Sequence, residues 1–209
     1  AVDYLSILKE AVDLGYDSIM VDASRLPLNG NTEATRRVVE MAHASGVAVE
    51  AELGAVMGHE AGPLPPYEEL FASGKGFTDP DEATRFVQET GVDWLSVAVG
   101  SVHGAISAAA RREKKVAARL NLDHLSRLHA CTGVPLVLHG GTGIRKAYVL
   151  GAIQRGIAKI NVATAIRQPY EAQLDASQDR ALEAVYETTC RVISEDLEVA
   201  GSAEALLGG

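Results

Sequence analysis

The sequence predicts an α/β fold in which about the last five βα units of a TIM (β/α)8 barrel form a single domain, residues 1–209. Three observations predict it. Short apolar runs with strand character recur along the chain, each run follows a segment with helical spacing of apolar residues, and most runs end in polar residues or glycine. Continuous apolar strands are typical of a parallel sheet that is buried on both faces. Because an eight-unit barrel needs roughly 250 residues, this chain accounts for about five-eighths of one.

The predicted helices and strands alternate along the chain. N-cap residues such as Asn31 indicate where helices begin, and glycines such as Gly46 and Gly91 indicate where they end. The segment 54–78 is rich in glycine and proline and is too long for a simple connection, which predicts an active-site loop. Helices are expected at residues 4–14, 31–44, 79–90, 122–132 and around 147–153, with one or two more at 168–198; strands at 18–22, 47–53, 93–99, 134–138 and 157–162; a partly helical segment at 105–120; and a loose tail at 201–209.

Charge and cysteine content indicate which partners the protein does not bind and in which compartment it is found. The net charge of −9 argues against nucleic acid or an anionic membrane as a partner. Cys131 and Cys190 lie far apart without metal-type spacing, which indicates buried or free thiols in a reducing compartment, the cytoplasm. The chain has no run of 18 apolar residues and no signal peptide. It also lacks an initial Met, so we expect it to be part of a longer protein.

Polar side chains come at or just after the ends of four predicted strands: Asp22, Glu52, His103 and His139. In a (β/α) barrel the carboxyl ends of the strands form the catalytic face. Two histidines and two carboxylates that meet there would suit a divalent metal such as zinc. Taken singly, each residue also has a structural interpretation, as a structural or solvated histidine or as a carboxylate that caps a helix.

Glycines follow both histidines, as Gly104 and as Gly140 and Gly141. Residues 140–142 precede a predicted helix, so their N–H groups and the Thr142 hydroxyl could cradle a phosphate. The alternative is a tight turn between strand and helix. Residues 161–164 end the neighbouring strand, and barrel phosphate sites often use the last two βα loops, which favours the phosphate interpretation.

Lys159 shares its strand parity with Asn161 and is therefore expected to face the barrel interior. A buried lysine there could form a Schiff base with a carbonyl substrate. The alternatives are a buried ion pair or an outward-facing side chain. Residues 111–115 carry a run of basic side chains that we interpret as a solvated surface.

At these residues the sequence resembles the class II, metal-dependent family of fructose-bisphosphate and tagatose-bisphosphate aldolases. The likeness extends over nearly the whole chain, and the order and spacing of its motifs agree with the family. The matching segments are SIMVDASRLP, VEAELG, FTDPDEATRFVQETGVDWLSVAVGSVHG, VPLVLHGGTG and IAKINVATAIR.

The resemblance implies a zinc-dependent aldolase (a lyase of carbohydrate metabolism and glycolysis) that reversibly cleaves a ketose phosphate or bisphosphate to dihydroxyacetone phosphate and an aldehyde. It also implies a homodimer or homotetramer and admits a monovalent cation beside the single catalytic Zn²⁺. The residue roles that it implies are metal ligands at His103 and His139; carboxylates at Asp22 and Glu52 that hold the metal in an alternative position; a proton-handling Glu60; and a dihydroxyacetone-phosphate site at Gly104, Gly140, Gly141, Thr142, Asn161, Val162, Ala163 and Thr164.

Two departures from the family pattern affect these expectations. The family's third histidine ligand and its acid/base aspartate form an Asp-His pair that would lie just before Ala1, so the chain alone is expected to be a poor catalyst. Extra sequence at residues 107–118 lies near the active-site mouth and leaves the identity of the ketose phosphate open. Two alternatives therefore remain: a Schiff-base aldolase that uses Lys159, and a non-catalytic sugar-phosphate-binding or assembly subunit.

Overall fold

Five parallel strands form one sheet in the part of the chain that the computed structural model describes, residues 3–56, 66–102 and 118–208. The strands are β1 (Ser18–Val21), β2 (Ala48–Leu53), β3 (Trp94–Val97), β4 (Leu136–Leu138) and β5 (Ile157–Ile160). The helices are α1 (Tyr4–Asp13), α2 (Leu28–His43), α3 (Tyr67–Ser73), α4 (Pro80–Thr90), α5 (Leu122–Thr132), α6 (Lys146–Ile153), α7 (Thr164–Leu174), α8 (Gln178–Arg191) and α9 (Ser202–Leu207), and the π-helical turn Val192–Asp196 extends α8.

The strand order in the sheet is β1-β2-β3-β4-β5, so each strand pairs with the strand of the next unit. All four pairings are parallel. This sequential order is that of a (β/α)8 barrel wall, whereas a doubly wound sheet reverses its order at a switch point. The predicted fold class, an α/β chain that forms part of a TIM barrel, is therefore confirmed. Every strand ends at the same edge of the sheet, which we call the carboxyl edge.

The core lies between the sheet and the helices α2, α4 and α5. The middle strands are buried on both faces, as their continuous apolar sequences predict. α4 shows how a helix contributes: Asp79 caps its first turn by accepting from two backbone N–H groups, and Phe86 is fully buried against the core. Burial of such a side chain is worth about 1.5–3 kcal/mol relative to leaving it in water.

One helix boundary differs from the prediction in a way that matters for the site. Asn31 is not an N-cap, because α2 begins at Leu28, immediately after Pro27. Asn31 lies inside the helix, 1% exposed, and its side-chain amide donates a hydrogen bond of 2.9 Å to the carbonyl oxygen of Glu52. The residue therefore ties α2 to the carboxyl end of β2.

Other differences are local. The predicted loop at 54–78 contains a helix, α3, whose first residues are Tyr67, Glu68 and Glu69. The first terminal helix begins at Thr164 and not at residue 168, and the predicted loose tail contains the short helix α9. The prediction of partial helix at 105–120 lies mostly outside the described residues. None of the described helices has the length and apolar character needed to cross a membrane.

Candidate active site

A buried histidine lies between two glutamates at the carboxyl edge of the sheet. His139 is the first residue after β4, and Glu50 and Glu52 are two residues apart on β2, so their side chains point to the same side. The His139 Nε2 atom lies 2.8 Å from Glu50 Oε1, and its Nδ1 atom lies 3.0 Å from Glu52 Oε2. Both carboxylates therefore reach one imidazole ring across the sheet, as their shared parity predicts.

Charge and burial act in opposite directions on His139. Burial disfavours the imidazolium and by itself would lower the pKa of His139. The hydrogen bonds and negative charges of Glu50 and Glu52 outweigh it and raise the pKa of His139 from 6.5 to about 9. Burial likewise raises the pKa of Glu50, but hydrogen bonds from His139 and Lys159 outweigh it and hold that pKa below its usual value. The cluster is therefore ionised as an imidazolium with its carboxylate partners at neutral pH.

Lys159 completes the cluster from β5. Its Nζ atom lies 2.6 Å from Glu50 Oε2 and 5.9 Å from the centre of the Trp94 ring. The lysine side chain is 46% exposed, whereas that of Glu50 is 1% exposed. Of the alternatives drawn from the sequence, the structure shows the ion pair. We call the four side chains His139, Glu50, Glu52 and Lys159 the His139 cluster.

The donor types of the His139 cluster fit zinc, which binds imidazole nitrogen and carboxylate oxygen. They make up only part of a ligand set, since no group of three or more His, Cys, Asp or Glu side chains in the described ranges is arranged to hold a metal ion. One physical reason is that both ring nitrogens of His139 already have carboxylate partners. A metal at His139 would have to replace a proton and a carboxylate contact at one of these nitrogens.

Asp22, another predicted metal ligand, is not brought into this cluster. It follows β1, is exposed, and accepts hydrogen bonds from the backbone N–H and hydroxyl of Ser24 at 3.1 and 2.7 Å. It therefore stabilises a local turn and does not cap a helix, which was the structural alternative. His103, its neighbour Gly104 and the predicted proton-handling Glu60 lie outside the described residues.

The two predicted phosphate loops do meet. The Gly141 N–H donates to the Asn161 carbonyl oxygen at 2.9 Å, and the Thr142 hydroxyl accepts from the Ala165 N–H at 3.2 Å. A Cβ atom at Gly141 would lie 2.7 Å from Ile160 Cγ2 and 2.9 Å from the Asn161 carbonyl oxygen. Only glycine allows the loops to approach this closely.

The helix predicted after residues 140–142 is confirmed: α6 spans Lys146–Ile153, and residues 143–145 separate it from Thr142. The helix that begins where the two loops meet is α7, which starts at Thr164 after Val162 and Ala163. Its N-cap residue is Ala163, and no side chain caps its first turn by a hydrogen bond. The Gly141 N–H is already engaged by Asn161, so the positive end of the α7 dipole is the stronger anion-binding feature.

The sequence does not reveal the roles of two residues at the carboxyl edge. The first is Glu50: its position two residues from Glu52 places both on one side of β2, but its contacts with His139 and Lys159 depend on the register between strands. The other is Thr78, whose hydroxyl donates to the Leu53 carbonyl at 2.5 Å and accepts from the Ala98 N–H at 2.8 Å. Thr78 thereby joins the carboxyl ends of β2 and β3.

Comparison with known sequences identifies relatives of one kind. The profile of the family described as class II fructose-bisphosphate aldolase matches residues 2–205. A fructose-bisphosphate aldolase of Staphylococcus epidermidis is 45% identical over 156 residues, which are 75% of this chain and 49% of the relative. One of Geobacillus stearothermophilus is 42% identical over the same coverage. The chain thus spans about half the length of the curated relatives it matches.

Solved structures agree in fold. The YdjI aldolase of Escherichia coli K12 superposes with a TM-score of 0.66 at 32% identity, over 94% of this chain and 64% of that one. A solved protein of Coccidioides immitis gives a TM-score of 0.72 at 30% identity, over 96% and 70%. The fructose-bisphosphate aldolase of Campylobacter jejuni, at 19% identity and a TM-score of 0.63, supports the fold alone.

Proposed function

We propose, for a chain that belongs to the class II fructose-bisphosphate aldolase family, a role in the reversible, zinc-dependent cleavage of a phosphorylated ketose to dihydroxyacetone phosphate and an aldehyde. The observation that carries this proposal is the family match over residues 2–205. The His139 cluster at the carboxyl edge supports it, because that edge is where barrel enzymes place their chemistry.

In this proposal the zinc ligands are His139, His103 and a histidine of the family's Asp-His pair. Asp22 and Glu52 hold the metal in an alternative position. A bound zinc ion would act as a Lewis acid that polarises the ketone carbonyl of the substrate. The protein must supply His139 as neutral imidazole, because an imidazolium has no lone pair to donate. The proton released from His139 has two neighbouring acceptors, the carboxylates of Glu50 and Glu52.

The substrate phosphate has a separate place in the proposal. It would lie against the start of α7, where the helix dipole is positive. The loops that frame this position are residues 140–142 and 161–164, held together by the Gly141 to Asn161 hydrogen bond. Binding of the phosphate, which does not react, would orient the reacting carbons at the His139 cluster. The remaining family roles, Gly104 in this site and Glu60 as the proton-handling group, are part of the same proposal.

The test is retro-aldol cleavage of a ketose bisphosphate by the protein extended upstream of Ala1. Turnover should disappear after exhaustive treatment with a chelator and return with added Zn²⁺. The matched variant His139→Asn should fail to regain activity at zinc concentrations that restore the parent protein. Cleavage that persists after complete metal removal would exclude this function.

The Schiff-base alternative receives less support from the geometry. A lysine that reacts with a carbonyl must have its amine available, whereas the Nζ atom of Lys159 is held in an ion pair with Glu50. Borohydride trapping with substrate, followed by mass mapping, tests this directly: an adduct on Lys159 would favour the Schiff base. The non-catalytic subunit would be favoured if an upstream sequence lacks the Asp-His pair.

The remaining parts of the proposal concern the environment of the enzyme. We propose that residues 1–209 act as one domain, that the protein is cytoplasmic, and that it assembles as a homodimer or homotetramer. The proposal also includes a bound monovalent cation. Light scattering of the purified protein tests the oligomeric state, and metal analysis after dialysis against different monovalent salts tests the cation.

A further inference from the structure

Glu50 is a buried charge to which the proposed reaction gives no role. Its side chain is 1% exposed, and it ranks with Phe86 and Leu95 among the largest fully buried side chains of the described residues. A buried carboxylate costs several kcal/mol in lost hydration, and its partners repay that cost only when its oxygens are well hydrogen-bonded. Packing alone therefore does not explain why a carboxylate occupies this buried position.

Its two oxygens are divided between two neighbours. Oε1 faces Nε2 of His139 at 2.8 Å, and Oε2 faces Nζ of Lys159 at 2.6 Å. The carboxylate on β2 thus reaches the residue that follows β4 and a residue on β5. Because β2 and β4 are separated by β3 in the sheet, these contacts fix side chains of non-adjacent strands relative to each other.

The ion pair with Lys159 does not by itself account for Glu50. The lysine side chain is 46% exposed, so water weakens its attraction for Glu50, and partly exposed pairs contribute little to stability. The contact with His139 is different, because that side chain is 9% exposed and is held on both ring nitrogens. A carboxylate on the second nitrogen of a metal-binding histidine is the usual device that fixes the ring orientation.

We propose that Glu50 is a positioning residue that fixes the His139 ring with its Nδ1 edge toward Glu52, while Lys159 holds the other oxygen of Glu50 in place. This inference rests on the proposed function, since it assumes that His139 acts as a ligand through Nδ1. Glu50 itself touches neither substrate nor metal. It acts through His139, and its removal takes away the carboxylate that contacts Nε2 of the ring.

The first measurement needs no metal. In the metal-free, ¹⁵N-labelled protein, the ring N–H bonded to Glu50 should give a downfield proton resonance, assigned by its loss in His139→Asn. Glu50→Leu removes the acceptor and should abolish that resonance. Glu50→Gln retains a side-chain oxygen of similar reach and should shift the resonance upfield without removing it. Lys159→Met should leave it close to its original position, because the lysine contacts only the other oxygen.

The second measurement is the affinity for Co²⁺ as a spectroscopic substitute for zinc, by competition with a chelator. Loss of a carboxylate that orients a ligating histidine typically weakens metal binding about 10–100-fold. We expect that loss in Glu50→Leu, partial recovery in Glu50→Gln, and a smaller loss in Lys159→Met. The exposed variant Glu89→Gln, whose carboxylate pairs with Arg85 on α4, should bind Co²⁺ like the parent.

The outcomes separate the inference from the proposed function. Equal losses in Glu50→Leu and Lys159→Met, or unchanged Co²⁺ affinity in both Glu50 variants, would overturn the positioning role while leaving the metal site intact. Absence of Co²⁺ binding by the parent protein would contradict the proposed function and with it the ligand role of His139. If Glu50→Leu fails to fold, the resonance and affinity of Glu50→Gln still decide, since an unaltered resonance would contradict the proposed contact.

Discussion

At the scale of single residues, the His139 cluster shows which contacts a sequence can reveal. The spacing of Glu50 and Glu52 was enough to place both on one side of β2, and the position of His139 after an apolar run was enough to place it at the carboxyl edge. The pairing of both carboxylates with one ring depends on the register between strands, which spacing within a strand does not determine. Asp22 shows the converse, since a carboxylate at a strand end formed only a local turn.

The raised pKa of His139 predicts how stability depends on pH. Because the folded pKa, about 9, lies above the unfolded value of 6.5, the contribution of this group is fully present below pH 6.5 and is lost as pH rises through about 9. The loss should be on the order of 3 kcal/mol, from about 1.4 kcal/mol per pKa unit. Urea unfolding of the metal-free protein at a series of pH values measures it.

The control for this prediction is Glu52→Gln, which removes one negative partner of His139 and should reduce the loss of stability at alkaline pH. Unfolding free energies that stay constant between pH 6.5 and 9 in the parent protein would refute the imidazolium assignment.

At acid pH, Glu50 makes stability change with pH in the opposite direction. The lowered pKa of Glu50 gives stability that is present above the ordinary carboxylate pKa and is lost as pH falls through the folded value.

At the scale of elements, the loops after β4 and β5 behave as one unit. Sequence reasoning placed both at the same edge, since consecutive βα loops of a barrel are neighbours. It could not show that the Gly141 N–H would be taken by Asn161, because that bond requires the two backbones to meet. The predicted helix after Thr142 is present as α6, but it begins only at Lys146, because Gly143 takes a positive φ of 80° and turns the chain first.

Gly141→Ala tests the close approach of these loops. The added methyl would lie 2.7 Å from Ile160 Cγ2 and 2.9 Å from the Asn161 carbonyl oxygen, so the loops must separate. We expect a loss of about 1–3 kcal/mol in unfolding free energy, the usual cost of overpacking, and weaker binding of dihydroxyacetone phosphate. Denaturant unfolding and calorimetric titration measure the two effects.

The matched control is Gly30→Ala in α2. There the added methyl meets Leu26 at 3.5 Å, an ordinary van der Waals distance, in a helical backbone. This variant should be about 0.5–1 kcal/mol more stable than the parent, because alanine loses less backbone entropy than glycine in a helix. If both alanine variants behaved alike, the steric account of Gly141 would be wrong.

The helix α3 supports the site from the other side. The Tyr67 hydroxyl accepts from the Arg119 N–H at 2.6 Å and lies 3.1 Å from the Gly100 carbonyl oxygen. The Arg119 guanidinium stacks 4.5 Å from the centre of the Phe71 ring and pairs with Glu68. Gly100 and Arg119 flank the segment that carries His103, so α3 fixes the ends of that segment. Composition alone predicted a loop here and gave no sign of this helix.

Tyr67→Phe removes the hydroxyl without changing the ring. It leaves the part-buried backbone N–H of Arg119 without its acceptor, and we expect a loss of about 0.5–1.5 kcal/mol in unfolding free energy. Tyr186→Phe is the control, since Tyr186 is 71% exposed and its change should be near zero. Thermal and urea unfolding compare the two variants, and similar stability for Tyr67→Phe and the parent would argue against the role of α3.

At the scale of the whole molecule, the parallel order of five strands was predictable because apolar runs and helical segments alternate so regularly. The order β1-β2-β3-β4-β5 carries successive strand ends to one edge, and this alone brings residues 50, 139 and 159 together from distant parts of the chain. The ketose phosphate is not predictable, because the extra segment 107–118 lies, except for Ala118, outside the described residues. Family membership supports the proposed chemistry, and the sheet order accounts for where the His139 cluster lies.

The central claim is that His139 is a ligand of the catalytic zinc. Anomalous diffraction at the zinc edge, from crystals of the protein extended upstream of Ala1 and soaked in Zn²⁺, tests it most directly. The account predicts an anomalous peak about 2.0–2.1 Å from a ring nitrogen of His139, and no such peak in His139→Asn. A fully occupied zinc elsewhere in an active protein, with His139 still held between Glu50 and Glu52, would contradict it.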